Sequence, residues 1–148
     1  MDNMEQVEVL LVEDNPNDVE LALRAFKKNH LENKIHVVTD GAQAIDFIFC
    51  EGAYADRNIK NPPKVVLLDL KLPKVDGKEV LRRVKSDART RCIPVVIMTS
   101  SQEEKDVCET YHLGANSYIV KPVDFEKFVS MISELGLYWI FFNKQPSA

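Results

Sequence analysis

The fold is decided by the stretch Lys64-Val65-Val66-Leu67-Leu68-Asp69-Leu70-Lys71-Leu72-Pro73, in the middle of the chain. Its first half holds a run of four apolar residues, Val65–Leu68, directly before Asp69. A short apolar run with no polar face is typical of a strand that is covered on both sides, as in a parallel sheet. The stretch therefore predicts a central strand that ends at a carboxylate.

Similar apolar runs, most of them rich in β-branched residues, recur on either side of this strand: Val7–Val12 (with one Glu), Ile35–Thr39, Val95–Met98 and Tyr118–Val120. Between the runs, apolar residues at helical spacing predict helices around Val19–Phe26, Ala42–Phe49, Val80–Val84, Glu103–Tyr111 and Phe125–Leu135. Asn15-Pro16 and Asp124 suit helix starts, whereas Asp40-Gly41 and Asp76-Gly77 indicate turns. The order, strand then helix five times, predicts an α/β fold with a doubly wound, five-stranded parallel sheet and five helices.

Composition narrows the class of protein. The 148 residues fit one domain, and 45% hydrophobic with 28% charged residues is a globular composition. A net charge of −4 argues against nucleic acid as a partner, and six consecutive large apolar residues are far too few for a membrane span. The acidic start, Met1–Glu5, has no secretory segment, and the odd, scattered cysteines suggest neither disulfides nor zinc. We expect a cytoplasmic protein.

The polar residues that follow the strands carry the chemistry. Glu13 and Asp14 follow the first strand, Asp69 the third, Thr99 ends the fourth and Lys121 follows the fifth. The carboxyl ends of parallel strands meet at one edge, where such sheets bind ligands. Three neighbouring carboxylates repel each other unless a cation lies among them, and an all-oxygen ligand set favours Mg²⁺. One carboxylate could then attack a phosphoryl group whose charge the ammonium and hydroxyl stabilise.

Each of these residues also has a plainer explanation. Asp14 and Asn15 could only cap the first helix, Asp69 could be an ordinary turn residue, and Lys121-Pro122 could be a turn. Their joint placement at the ends of several strands favours a metal and phosphoryl site over these separate explanations.

With these motifs the sequence resembles the receiver domains of two-component response regulators, from about Val7 to Leu135. The resemblance is carried by four segments: Val9–Asn15, Leu67–Pro73 with Asp76-Gly77, Val95–Ser100 and Tyr118–Pro122. It is most similar to the stand-alone regulators that accompany bacterial phytochrome kinases, through Glu13–Pro16, Asp46-Phe47, Asp76–Leu81, Tyr111, Asn116–Tyr118 and the aromatic tail. The resemblance implies the flavodoxin-like receiver fold.

The resemblance also implies a role for each acidic residue. It makes Asp69 the phosphoacceptor, and it makes Glu13, Asp14, Asp69 and the backbone carbonyl of Lys71 the ligands of Mg²⁺ or Mn²⁺. Lys71 stands where close relatives commonly have Asn, and its ammonium is expected to alter phosphorylation or dephosphorylation rates.

The remaining roles concern the switch between states. The resemblance makes Thr99 the switch hydroxyl, Tyr118 the switch aromatic and Lys121 the lysine that pairs with the phosphate, aided by a cis Lys121-Pro122 bond. The weakly apolar helix Glu103–Tyr111 would be the surface that responds.

The implied function is a signalling switch, not an enzyme beyond its own phosphorylation and dephosphorylation. A sensor histidine kinase, such as a bacterial phytochrome, or a histidine phosphotransfer protein would supply the phosphoryl group, and output would pass by protein contact or phosphorelay. Three alternatives stay open. A phosphatase with an aspartyl-phosphate intermediate usually has a carboxylate where this chain has Lys71. A nucleotide-binding module usually has glycines in the first strand-to-helix turn, and a scaffold would not need the intact site.

The last part of the chain is set apart from the receiver domain, which we place at residues 1–136. Gly136 is expected to end the last helix, and residues 137–148 form an arm with six large apolar residues: Leu137, Tyr138, Trp139, Ile140, Phe141 and Phe142. This arm could fold back on the domain as an extra core segment. We expect instead that it covers a second subunit in a homodimer, because such a patch would be a liability if exposed.

Overall fold

The computed structural model describes residues 7–146, so the acidic start at Met1–Glu5 lies outside the described residues. The strands are β1 (Val9–Val12), β2 (Ile35–Val38), β3 (Val65–Leu68), β4 (Val95–Thr99) and β5 (Ser117–Val120). The helices are α1 (Pro16–Lys28), α2 (Gly41–Phe49), α3 (Gly77–Ser86), α4 (Glu104–His112) and α5 (Phe125–Leu137), with a 3₁₀ turn at Gly52–Tyr54 and a π-helix at Tyr138–Phe142. All strand pairs are parallel, in the order β2-β1-β3-β4-β5. The predicted doubly wound α/β fold is confirmed.

The sheet separates two apolar cores. Alternate residues of a strand point to opposite faces, so Val9 and Leu11 of β1 enter one core and Leu10 and Val12 the other. Residues of α1 and α5 cover the first core, and residues of α2 and α3 cover the second. Both faces of β1 and β3 are therefore buried, which is the pattern that their unbroken apolar runs predict.

Four helices begin at a side chain that accepts backbone N–H groups of the first turn: Asn15, Asp40, Asp76 and Asp124. Asn15 and Asp124 were expected at helix starts. The sequence predicts turns at Asp40-Gly41 and Asp76-Gly77, whereas each aspartate is an N-cap and each glycine is the first helical residue. A Cβ on Gly77 would lie 2.3 Å from the Asp69 carbonyl oxygen, so the glycine lets α3 begin against the backbone that follows β3.

The expected helix end at Gly136 is wrong. Gly136 lies inside α5, and a Cβ there would lie 3.0 Å from Cζ of Phe26, so the glycine permits close packing of α5 on α1. The chain then continues as the π-helix. Leu137, Trp139 and Ile140 pack on the core of that side, whereas Tyr138, Phe141 and Phe142 are 48%, 62% and 76% exposed. The arm is thus partly an extra core segment and partly an exposed aromatic surface.

Lys64 ties this C-terminal segment to the start of β3. Its Nζ donates to the Ile140 carbonyl oxygen at 3.0 Å and lies 3.3 Å from Oε2 of Glu8. The Gln145 side chain in turn donates to the Lys64 carbonyl oxygen at 3.5 Å. These contacts hold the end of the described chain at the amino ends of β1 and β3.

The long loop between α2 and β3 is anchored by a buried arginine. Arg57 donates to the carbonyl oxygens of Phe47 and Asn61, and its guanidinium lies 3.7 Å from the Phe47 ring centroid. His36 of β2 stacks on the same ring at 4.9 Å, and its Nε2 lies 3.0 Å from the Tyr54 hydroxyl oxygen. The loop therefore packs on the sheet edge.

None of the helices in the described chain is long and apolar enough to span a bilayer.

Candidate functional site

The predicted site residues meet at the carboxyl ends of the strands. The sheet register aligns Val12 with Leu68, so Glu13 and Asp69 follow neighbouring strands at the same level. The Asp69 N–H donates to the Val12 carbonyl oxygen at 3.1 Å, and the Lys121 N–H donates to that of Thr99 at 2.8 Å. The backbone hydrogen bonds therefore fix the positions of the Cα atoms from which these side chains extend.

Glu13, Asp14 and Asp69 form an acidic cluster. Each offers a carboxylate oxygen, and these oxygens lie within 4.8 Å of one another. Glu13 is fully buried and Asp69 nearly so, while Asp14 is exposed and open to a cation arriving from solvent. Close carboxylates repel unless a cation lies among them, and oxygen ligands open to water suit Mg²⁺ or Mn²⁺. The donor set fits such an ion.

Lys71 lies at the edge of this cluster. Its backbone N–H donates to Oδ1 of Asp69 at 3.3 Å, while its side chain is exposed. Together with Glu13, Asp14 and Asp69 it lines a cleft of about 420 Å³. The Lys71 backbone thus helps to orient the Asp69 carboxylate within the cleft.

Lys121 lies at the centre of the carboxylates. Its Nζ is 2.6 Å from Oε1 of Glu13, 2.8 Å from Oδ2 of Asp69 and 2.9 Å from Oδ2 of Asp18. Burial alone would lower the pKa of the ammonium, but its hydrogen bonds to Asp69, Glu13 and Asp18 outweigh burial and raise that pKa. The Lys121 ammonium therefore stays protonated at neutral pH.

The Glu13 carboxyl is buried, which disfavours its charged form. Burial raises the pKa of its carboxyl to about 7, with Lys121 opposing the shift and the nearby Asp69 adding to it. Its other oxygen, Oε2, accepts the Asn15 N–H at 3.2 Å. A buried carboxylate with such a pKa is stabilised when a cation binds beside it.

Asp18 was missed by the sequence analysis. It stands in the first turn of α1, where an acidic residue is explained well enough by the helix dipole. Its contact with Lys121 spans 103 positions of sequence, so no local pattern could reveal it. The one sequence signal for it is that Asp18 follows Asp14 by four residues, in the first turn of the helix that begins directly after the acidic pair.

The two predicted switch residues lie on neighbouring strands. Thr99 is buried at the end of β4, and Tyr118 of β5 donates its hydroxyl to the Ser101 carbonyl oxygen at 3.0 Å. The Ser101 N–H lies 3.5 Å from Oγ1 of Thr99, so Ser101 joins the two. The expected cis Lys121-Pro122 bond is wrong. The bond is trans, the form that X–Pro peptides prefer by about 0.5–1 kcal/mol, and Lys121 reaches its partners without the cis form.

The sequence matches the family model of the response regulator receiver domain over residues 9–133. Rcp1 from Synechocystis sp. (strain PCC 6803) is 33% identical over 140 residues, which cover 95% of this chain and 93% of Rcp1. The Mn²⁺-bound form of Rcp1 has a similar structure, with a TM-score of 0.84 over 93% of this chain and 97% of that one.

Two further solved structures are similar. The phosphorylated cyanobacterial phytochrome response regulator RcpA gives a TM-score of 0.86 at 34% identity, covering 94% of this chain and 97% of RcpA. The bacteriophytochrome response regulator RtBRR is 52% identical with a TM-score of 0.72, covering 93% of this chain and 82% of RtBRR. The similarity therefore includes one structure with a bound divalent metal and one with a phosphoryl group.

Proposed function

Because the chain belongs to the response regulator receiver family of two-component signalling, we propose that Asp69 accepts a phosphoryl group from a histidine kinase. The observation that supports this proposal is the ion pair of Lys121 with Asp69 beside the acidic cluster, in which Nζ lies 2.8 Å from Oδ2. An aspartate oxygen attacks phosphorus, the bond from phosphorus to the donor's histidine nitrogen breaks, and the electron pair returns to that nitrogen. The product is an aspartyl phosphate, and the chain catalyses only its own phosphorylation and dephosphorylation.

The other site residues stabilise the transferring group. Glu13, Asp14, Asp69 and the Lys71 carbonyl would hold Mg²⁺ or Mn²⁺, which supplies positive charge for the oxygens of the phosphoryl group when bound. Lys121 holds its ammonium 2.8 Å from Oδ2 of Asp69, where it can pair with a further phosphoryl oxygen. Positive charge would thus approach the phosphoryl oxygens from two directions.

Thr99 and Tyr118 would convert phosphorylation into a change of surface. Thr99 turns its hydroxyl toward the phosphoryl group, and Tyr118 leaves the Ser101 carbonyl to occupy the space beneath α4. This rearrangement alters α4, the output surface. Hydrogen exchange of α4 with and without a phosphoryl mimic tests it, since equal protection in both states contradicts the switch.

The partner that we propose is a phytochrome-like kinase, or a histidine phosphotransfer protein in a relay. The support is that RcpA is a phytochrome response regulator and RtBRR a bacteriophytochrome response regulator. Output by contact with another protein fits the net charge of −4, which does not favour nucleic acid. A cytoplasmic location belongs to this proposal, because histidine kinases use ATP.

Phosphorylation is tested by intact mass after incubation with acetyl phosphate and Mg²⁺. We expect one added phosphoryl group in the unaltered chain and in Asp56→Asn, a control at an exposed loop aspartate. Asp69→Asn should gain none. Equal labelling of Asp69→Asn would assign the acceptor elsewhere, and no labelling of the unaltered chain with Mg²⁺ would contradict the proposed function.

We also propose that the arm, residues 137–148, forms a homodimer. Tyr138, Phe141 and Phe142 support this, because they form an exposed aromatic surface on a segment that Ile140 and Trp139 fix to the domain. Burying a large apolar side chain contributes roughly 1.5–3 kcal/mol, and a two-fold axis would let one surface cover its copy.

Sedimentation at high micromolar concentration tests the dimer. Truncation at Gly136 would also remove the buried Ile140, so a Phe141→Ser/Phe142→Ser double variant is the cleaner change. We expect it to be monomeric, while Phe125→Ser, at an aromatic residue that is 72% exposed outside the arm, stays dimeric. An unaltered chain that sediments as a monomer rules out the arm as a dimer element.

A further inference from the structure

Asp18 is a carboxylate beside the site that the proposed reaction does not use. It stands in the first turn of α1, and its Oδ2 lies 2.9 Å from Nζ of Lys121, which follows β5. The Asp18 side chain is only 19% exposed. The contact joins the beginning of the chain to the loop that leads into α5.

A helix-stabilising role would be the simplest explanation. An acidic residue in the first turn favours a helix, and in a capping box it accepts the backbone N–H of the N-cap residue. Here the N-cap residue is Asn15, and its N–H donates to Oε2 of Glu13 instead, at 3.2 Å. The Asp18 carboxylate is therefore not the partner of the N-cap N–H, and it points to Lys121.

The other two partners of Lys121 have competing tasks. Glu13 and Asp69 belong to the acidic cluster that suits a cation, and Asp69 is also the proposed acceptor. A cation and a phosphoryl group would engage the Glu13 and Asp69 oxygens, which would then be less available to the ammonium. Asp18 lies outside the cluster, so its contact with Lys121 is compatible with both states.

We propose that Asp18 is a positioning residue for Lys121, whose ammonium it holds over Asp69 while the phosphoryl group is transferred. The inference rests on the proposed function of Asp69 and Lys121. It assigns to the first turn of α1 a direct part in keeping the ammonium in place, in addition to supporting the fold.

Two substitutions distinguish the proposed positioning of Lys121 by Asp18 from the effect of the negative charge of Asp18. Asp18→Ala removes both the acceptor oxygen and the charge, whereas Asp18→Asn keeps an acceptor at the same reach without the charge. With acetyl phosphate and Mg²⁺, we expect Asp18→Ala to lower the maximal rate of phosphorylation about five- to tenfold, which is the scale of one ordinary net hydrogen bond. Asp18→Asn should recover most of the rate, and the donor concentration for half-maximal rate should change little.

Two controls exclude general effects. Glu20→Ala removes an acidic residue from the same helix whose side chain is 72% exposed, and it should keep the unaltered rate. Mg²⁺ affinity, measured by calorimetry, should stay the same in Asp18→Ala, because Asp18 is outside the acidic cluster. A large loss of affinity would overturn the inference by placing Asp18 among the metal ligands.

The ¹H–¹⁵N signal of the lysine ammonium gives a readout that does not depend on the reaction. The measurement is made with saturating Mg²⁺, because without a cation Glu13 and Asp69 still contact the ammonium. We expect the Lys121 signal to persist in the unaltered chain and in Asp18→Asn, and to be lost by exchange with water in Asp18→Ala. An unchanged rate in Asp18→Ala, or an equal acceleration in both variants, overturns the inference, since the latter would make Asp18 only a repelling charge. If the unaltered chain takes up no phosphoryl group, the proposed function fails, and persistence of the signal in Asp18→Ala then overturns the inference separately.

Discussion

Asp14 differs from the other carboxylates of the acidic cluster in being exposed. Glu13 and Asp69 are held in place by burial and by Lys121, but Asp14 has open space in front of its oxygens. We expect Asp14→Ala to weaken Mg²⁺ binding at least about tenfold, which corresponds to about 1.4 kcal/mol, because it removes a charged ligand. Calorimetric titration measures this. Asp18→Asn should keep the unaltered affinity, because Asp18 is outside the acidic cluster. Unchanged affinity in Asp14→Ala would mean that the cation binds elsewhere.

His36 provides a dependence of folding stability on pH. Burial lowers the pKa of its imidazole, and the charge of the nearby Arg57 lowers it further. Because the unfolded chain binds the proton more readily, this contribution to stability is complete above the ordinary histidine pKa of about 6.5 and is lost as the pH falls toward the lowered value.

Because the raised pKa of Glu13 adds stability as the pH falls over the same range, the contribution of His36 is the difference between two chains. Between about pH 7.5 and about pH 5.5, we expect the unaltered chain to lose more free energy of unfolding in urea, or to gain less, than His36→Phe. The same experiment on His112→Asn, at an exposed residue of α4, should reproduce the unaltered dependence. An identical pH dependence in His36→Phe would assign the effect to other groups. NMR titration of the His36 ring checks the direction of its pKa directly.

Of the individual site residues, those that directly follow a strand could be predicted from the sequence. A residue that contacts the site from a helix elsewhere in the chain could not. Asp69 and Lys121 were predicted because apolar runs point to them. Asp18 was not, because a residue in a helix turn reveals nothing of a partner 103 positions away. The Lys121-Pro122 bond was wrongly expected to be cis, since only the backbone itself shows the isomer.

Among the elements, α4 is held mainly by polar contacts. Thr110 is its one buried residue, and its bonds to neighbouring elements centre on Lys78 of α3. The Lys78 Nζ lies 2.7 Å from Oδ1 of Asp106 and 2.6 Å from Oε2 of Glu109, while Asp106 also accepts the Ser101 hydroxyl at 2.5 Å. These bonds link α4 to α3 and to the loop that holds Tyr118.

We expect Lys78→Met to loosen α4 with little effect on the rest of the domain. Partly exposed ion pairs contribute at most about 1 kcal/mol each, so the domain should stay folded while amide exchange in α4 becomes faster. Lys105→Met is the matched control, because Lys105 lies on α4 itself, with a 77% exposed side chain and a partner 4.0 Å away. Unchanged exchange in Lys78→Met would show that the apolar contacts of α4 suffice.

The elements themselves were predicted well where a pattern is local. The five strands were recognisable from their apolar runs, and the predicted helix Glu103–Tyr111 differs by one residue at each end from the observed α4. Gly136 shows the limit of such patterns. A glycine after an apolar stripe suggests a helix end, but here its missing side chain makes room for Phe26, which only tertiary packing reveals.

For the molecule as a whole, the acidic cluster is a source of instability that a cation relieves. Glu13, Asp14 and Asp69 repel each other in the folded chain, and unfolding separates them. A cation that binds only the folded chain should therefore raise its stability, by about 2.7 kcal/mol at a concentration of one hundred times the dissociation constant. Thermal unfolding with Mg²⁺ and after its removal by a chelator measures this gain. In Asp14→Ala the melting temperature should hardly respond, and an equal gain there would point to binding outside the cluster.

The contacts of Lys64 with both ends of the described chain have a practical consequence for protein engineering. The Lys64 N–H donates to the Glu8 carbonyl oxygen at 2.7 Å, and its own carbonyl oxygen accepts from Gln145. Residues 8 and 145 are thus brought to one place, at the end of the sheet opposite to Asp69. A short linker joining these ends, with new termini opened at the exposed tip of the 3₁₀ turn, should give a circular permutant with an undisturbed acidic cluster. A fluorescent protein fused after Pro146, the last described residue, would likewise leave the cleft open to its donor.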